Sequence, residues 1–291
     1  YVGRGDLSGE SLYAPYALEG ATLYDGHKDG RVKARLKGRP LRGIYNDSML
    51  CSEKELGISD EHGGIILVTS DELRVTSEES AVSDSSLVTR HSSLAPGTPI
   101  QDIWGDAVLE IAILPNTARA TSIIGVAREV AALTGRPLRQ PSYDVVMDGP
   151  PLDGRVVITT AEPELNPRFV ALLIEGVRQV PSPYWMQYRL RLAGQRPINV
   201  VVDISNYVML EVGQPNHTFD YDVLRRRADG YAPDGPIQIH TRLPLPGETV
   251  TTLDGATRKL EPYTILVTDP AGNLSIGGIM GGRESEIGPE T

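Results

Sequence analysis

The chain counts 291 residues, with 28 Lys and Arg against 38 Asp and Glu, for a formal net charge of −10 at pH 7. Charge that acidic excludes a protein devoted to wrapping nucleic acid, which needs broad positive charge to meet phosphates, so any RNA contact is local. No run of about 18 apolar residues exists to span a membrane, and the single Cys51 rules out an internal disulfide and fits a reducing compartment.

The length leaves room for two or more domains. A start at Tyr1 without a signal peptide points to a fragment of a longer protein. Residues 1–68 read as short strands and turns. Arg31-Val32-Lys33-Ala34-Arg35-Leu36-Lys37 alternates basic and apolar residues with the period of a strand. Val32, Ala34 and Leu36 are expected to face a core, with Arg31, Lys33, Arg35 and Lys37 facing out. Lys28, Arg39 and Arg42 extend this basic ribbon. It fits an RNA backbone, and equally the charged outer face that keeps an edge strand from aggregating. Ser52 is the expected N-cap of a short helix and Gly57 its terminator. Cys51 lacks the nearby His and acid of an activated thiol and reads as buried filler. Residues 69–96 are Ser-rich and acidic, the composition of a flexible insertion or linker.

Between 97 and 150, Val108 to Leu114 predicts a strand. Thr121 or Ser122 then caps a helix whose apolar stripe is Ile123, Ala127, Val130 and Ala131, closed by Gly135. Residues 151–291 form the largest segment. Arg155 to Thr159 predicts a strand; Asn166 caps and Pro167 begins a helix carrying Val170, Leu173, Ile174 and Val177. A second helix runs from Pro181-Ser-Pro-Tyr-Trp185 to Gly194. Strands follow near 237–242, 249–253 and 263–268, with Asp254-Gly255 as a two-residue hairpin turn.

The stretch from 196 to 222 organises this segment. Pro197 bars a helix at Arg196, Asn199 caps one starting just after it, and Gly213 closes it. Val200, Ile204 and Val208 recur at i, i+4, i+8, while Asn199, Asp203 and Asn206 form a polar row. His217 follows in a polar turn past Pro215. The pattern fits a small-molecule pocket wall or a surface helix with a polar outer face. Gly277-Gly278-Ile279-Met280-Gly281-Gly282 lacks the Lys-Ser/Thr of a phosphate loop and the spacing of a dinucleotide fingerprint. Its glycines let backbone approach a ligand or a neighbouring strand. The five His residues show no metal-ligand spacing, so no metal site is inferred.

Arg196-Pro-Ile-Asn199, Val202-Asp-Ile-Ser-Asn-Tyr-Val208 and Gly213-Gln-Pro-Asn-His-Thr-Phe-Asp220 resemble the signature of the bacterial phenylalanyl-tRNA synthetase beta subunit in its editing domain. Ser205 stands where that family usually has Thr, and Thr218 where it has Ala. Ser48 to Gly57 resembles the end of the same subunit's OB-fold module, and Ser182-Pro-Tyr-Trp185 matches as well. At Asn116-Thr-Ala-Arg119 the chain departs from the family's Asn-Arg-Pro-Asp, so no role is carried over there.

The resemblance implies an α+β multidomain chain. It has a partial OB-like β-barrel at 1–68, the linker at 69–96, half of a small α+β structural domain at 97–150, and a mixed α/β editing domain at 151–291 truncated at its C-terminus. It implies part of a cytoplasmic phenylalanine-tRNA ligase, working with an alpha subunit in a heterotetramer, tRNA(Phe), and tyrosine or phenylalanine. ATP and Mg are needed by the parent enzyme and no cofactor by this segment, which lacks the synthetase active site. The implied reaction is hydrolysis of Tyr-tRNA(Phe). His217 and Asn206 bind or orient substrate, Ser205 assists, Gly278 and Gly281 shape the pocket, and water is the nucleophile. Arg31, Lys33, Arg35 and Lys37 become tRNA-contact candidates. The carboxylate that the family uses to read the tyrosine hydroxyl belongs to a strand past Thr291; Glu284, Glu286 and Glu290 are not its counterparts. Two other readings are a binding module without chemistry and a structural arm of the synthetase.

Overall fold

The computed structural model describes residues 12–69 and 97–291, so the linker expected at 69–96 lies, past Thr69, outside the described residues. The chain divides into two units. One takes the described residues up to Ala112 together with Ser182–Ile198, and the other takes Ile113–Pro181 and Asn199–Thr291. Among the described residues no helix is long and apolar enough to cross a membrane.

The first unit is built from antiparallel two-stranded ladders. Tyr16–Leu18 pairs with Ser48–Leu50, Thr22–Tyr24 with Lys33–Arg35, and Arg39–Leu41 with Ile44–Asn46. No closed barrel forms among the described residues. The Arg39–Asn46 hairpin turns through Arg42 and Gly43, whose φ values of 52° and 82° are those of a type I′ turn. The basic strand departs from its predicted facing. Val32 and Ala34 are exposed along with Arg31, Lys33, Arg35 and Lys37, and only Leu36 is partly covered, because no layer among the described residues packs on that ribbon. The short helix Glu53–Leu56 forms as its residues dictate. Ser52 and Glu55 make a capping box, and Gly57 closes the helix at φ 75°. Cys51 beside it is buried, and burial pushes its thiol up to about 11, far from nucleophilic. In the same unit the helix Tyr184–Leu192 buries Met186 and Leu190, and its Arg191 pairs with Glu53 at 2.7 Å.

The second unit is a mixed α/β layer. Its five-stranded sheet runs, from one edge to the other, Val156–Thr160, Ile237–Arg242, Leu266–Asp269, Gly272–Ile276 and Met280–Gly281. The first two strands are parallel and the rest antiparallel. Along Ile237–Arg242 burial alternates strictly, so Ile237 and Ile239 enter a core with Val267 and Leu274. The helix Tyr221–Asp229 lays Leu224 and Ala228 on that core. Val250, Leu266 and Ile276 form a second cluster, to which Leu260 adds. The hairpin Thr249–Thr251/Thr257–Lys259 does turn at Asp254-Gly255, but the connection is longer than two residues. Thr252 N–H donates to the Ala256 carbonyl and Gly255 takes φ 78°, the left-handed residue of a longer loop.

Three further expectations are corrected. No helix follows Pro167. The Asn166 amide donates to Thr241 Oγ1 at 3.0 Å, Phe169 packs on the sheet core, and Gly176 at φ 74° interrupts the run, so tertiary contacts outweigh a modest helix propensity. Val108 to Leu114 forms no strand, since no neighbour among the described residues supplies a ladder; Val108, Leu109, Ile111 and Leu114 stay exposed. The helix Ile123–Thr134 is capped by Ser122 and closed at Gly135, yet Ile123 and Val130 of its apolar stripe are exposed and Gly125 is the buried residue.

Candidate functional site

The helix Val200–Val212 starts and ends where its residues require. The Asn199 side chain accepts from Val202 N–H at 3.0 Å, and Gly213 at φ 79° terminates it. Its facing reverses the polar-outside expectation. Asp203 is 1% exposed and Asn206 half-buried, whereas Ile204 and Val208 are exposed. Of the polar row, Asp203 is the fully buried member. Asp203 has a bonding partner, as a buried polar group must.

From Gly213 the chain doubles back as Gln214-Pro-Asn-His217. Ser205 Oγ donates to the Asn216 carbonyl at 3.3 Å, and Asn216 Nδ2 donates to the Ser205 carbonyl at 3.3 Å. This reciprocal pair ties the helix to the turn and spends the hydroxyl of Ser205 on structure. Phe219 packs on the sheet core, and His217 stands edge-on against it, ring centroids 4.6 Å apart at 84°. The strand Met280–Gly281 also reaches the imidazole. A Cβ on Gly281 would lie 2.7 Å from His217 Nε2 and 3.1 Å from Leu253 Cδ1, so any side chain there would displace the ring. The Leu253 N–H donates to the Gly281 carbonyl at 3.1 Å, which joins the hairpin to this point.

His217 as a residue remains exposed, while the burial its ring does suffer lowers its pKa from the ordinary 6.5. It is therefore neutral at pH 7, with one nitrogen a donor and the other an acceptor. Among the described residues neither nitrogen forms a hydrogen bond. A neutral, half-open imidazole against bare backbone can bind or orient a polar ligand without adding charge.

His217 and Gly281 therefore meet, and Ser205 is tied through Asn216 to the turn that carries His217. Asn206 follows Ser205 on the same helix. Gly278 lies in an exposed turn at φ 70° with open space around its Cα, so its role is to turn the chain. Arg31, Lys33, Arg35 and Lys37 belong to the other unit. They are exposed, with Lys33 Nζ 6.0 Å above the Tyr24 ring. No cluster of three or more potential metal ligands occurs among the described residues. Sequence reading gave no role to Phe219, Leu253 or Asn216, although the His-Thr-Phe spacing carried a period-two hint that His217 and Phe219 share a side.

Residues 165–291 match the B3/4 domain family, a span that holds Ser205, His217 and Gly281. The chain is similar to phenylalanine–tRNA ligase beta subunits. That of Moorella thermoacetica is 39% identical over 97% of this chain and 31% of its own length. That of Dehalococcoides mccartyi strain CBDB1 is 37% identical over 95% and 30%, and that of Geobacter sulfurreducens 38% over 87% and 28%. The chain spans under a third of the length of these relatives.

Proposed function

We propose that this chain is part of a phenylalanine–tRNA ligase beta subunit, and that the second unit hydrolyses tyrosine from mischarged tRNA(Phe). The observation that carries the reading is the neutral imidazole of His217 held against Gly281, in the span similar to the B3/4 domain. An apolar pocket shaped for phenylalanine rejects an added hydroxyl by only about a hundredfold. A second site that hydrogen-bonds the hydroxyl reverses that bias, since phenylalanine would leave its polar groups unpaired.

In this reading His217 and Asn206 orient the aminoacyl group, Gly281 keeps the backbone close to the imidazole, and Gly278 shapes the pocket rim by turning the chain. Ser205 assists only through Asn216. Water attacks the ester carbonyl carbon, the carbon–oxygen bond to the ribose breaks, and the ribose oxygen leaves as its hydroxyl. Residues 1–68 serve as an OB-like module. Arg31, Lys33, Arg35 and Lys37 meet tRNA phosphates, and an alpha subunit is the partner in a cytoplasmic enzyme. ATP and Mg serve the synthetic reaction of the parent enzyme. The described residues offer no metal-ligand cluster, and the sequence no phosphate loop, so no step here is assigned to either.

The test is deacylation of Tyr-tRNA(Phe) and Phe-tRNA(Phe) by the chain and by the alpha–beta complex, beside titrations with both amino acids. Faster release of tyrosine, lost in His217→Ala with folding retained, is expected. Binding without turnover identifies a non-catalytic module, and inertness in both assays a structural arm. Reversing two of the four basic residues is expected to lower the salt slope of tRNA binding by about 1–2.

A further inference from the structure

The chain just past His217 is fixed at one buried carboxylate. Asp220 Oδ1 accepts from the Val223 N–H at 2.9 Å and so caps the helix Tyr221–Asp229. Its Oδ2 accepts from the Thr291 hydroxyl at 2.6 Å. Thr291 is itself held in a closed turn: its hydroxyl accepts from Gly288 N–H at 2.7 Å, and its N–H donates to the Gly288 carbonyl at 3.2 Å. Two segments far apart in sequence, one bearing His217 and one following the glycine loop, therefore meet at Asp220.

We infer that Asp220 is a positioning residue for His217: by joining the helix cap to the Gly288–Thr291 turn, it fixes residues 217–219 so that the imidazole stands against Gly281. The reasoning is geometric. Two residues separate Asp220 from His217, and the one between them that anchors, Phe219, both packs on the sheet core and is the ring on which His217 packs. A capped helix start fixes the backbone at 220, Phe219 fixes it from the core, and the Ser205–Asn216 pair fixes it on the other side at 216. His217 is the residue left between these anchors. Burial opposes ionisation of Asp220. The hydrogen bonds from Thr291, Val223 and Asp222, with the charge of Arg226, outweigh it and hold the pKa below the usual carboxylate value, so the acceptor stays charged at neutral pH.

As a catalytic claim the inference rests on the proposed function; as a positional claim it does not. The test uses the 291-residue chain with 13Cε1-labelled histidine. Asp220→Asn keeps a good helix cap but loses the charged acceptor, and Thr291→Val loses only the hydroxyl. Both are expected to stay folded by circular dichroism and to move the His217 resonance and its titration toward those of an imidazole wholly in water. Thr291→Ser, which keeps the hydroxyl, is expected to restore both. For Tyr-tRNA(Phe) deacylation, kcat is expected to fall by about ten- to a hundredfold with KM held, the signature of a misplaced group. A His217 titration unmoved in both folded variants overturns the inference, whatever deacylation does. A wild-type chain and alpha–beta complex that do not deacylate overturn the proposed function alone, because the titration still decides the positioning.

Discussion

Substituting Arg227 by Met tests how the helix Tyr221–Asp229 is held to the sheet. Arg227 Nε and Nη2 donate to the two oxygens of Asp269 at 2.7 and 2.8 Å, a bidentate pair, while Nη1 donates to Glu284 at 3.0 Å. The two arms differ in burial. Side-chain exposure is 14% for Arg227 and 1% for Asp269, but 76% for Glu284. Solvent screens the Glu284 arm, so Glu284→Gln is expected to cost at most about 1 kcal/mol. Arg227→Met keeps the bulk but leaves the Asp269 carboxylate buried without its counter-ion, which costs about 3–5 kcal/mol. Set against a typical domain stability of about 5–15 kcal/mol, that brings the unit near its unfolding threshold. Urea denaturation followed by circular dichroism gives the free energies. Native-state amide exchange along Leu266–Asp269 is expected to accelerate by roughly a hundredfold to a few thousandfold, since about 1.4 kcal/mol corresponds to tenfold. The double variant Arg227→Met/Asp269→Leu, which removes both charges, is expected to recover most of the loss. An Arg227→Met chain no less stable than Glu284→Gln refutes the reasoning, because the buried arm would then contribute no more than the exposed one.

Gly281→Ala places a methyl on the His217 imidazole; the histidine resonance is expected to shift and its titration to rise toward 6.5, and an unchanged spectrum counts against the close approach. Because the folded pKa of His217 lies below its unfolded value, its neutral form supports the fold above pH 6.5, and that support fades as pH falls through the folded pKa; His217→Gln is expected to flatten that part of the stability profile. Glu248 is held down to about 2 by its hydrogen bonds from Arg242, with burial opposing and Leu245 N–H and Asn273 assisting. Its contribution is complete above 4.5 and lost as pH falls toward 2, so Glu248→Gln is expected to show a smaller drop in urea midpoint between pH 5 and 3 than the parent chain. Ser52→Ala breaks the capping box and is expected to cost about 1 kcal/mol. Tryptophan fluorescence reports it, because Trp104 and Trp185 both lie in that unit; a loss under about 0.3 kcal/mol counts against the cap.

What the sequence determined by itself is local. The caps at Ser52, Ser122 and Asn199 and the terminators Gly57, Gly135 and Gly213 stand where their residues predict, because an N-cap hydrogen bond and a left-handed glycine involve only a few neighbouring residues. Strands 237–242 and 249–251 likewise show their period in the chain. Tertiary structure decided which face each element buries. Ile204 and Val208 turn outward and Asp203 inward, since facing depends on what packs against a helix and not on its own pattern. Asn166 was drawn from a cap to a strand 75 residues away, and Val108 to Leu114, lacking a partner ladder among the described residues, stayed irregular. The site divides the same way. His217 and Gly281 were visible as single residues in polar and glycine-rich turns, whereas their apposition needed a sheet to bring positions 64 residues apart within van der Waals contact. No local pattern encodes that distance, because it is set by the register of strands and the core on which Phe219 rests.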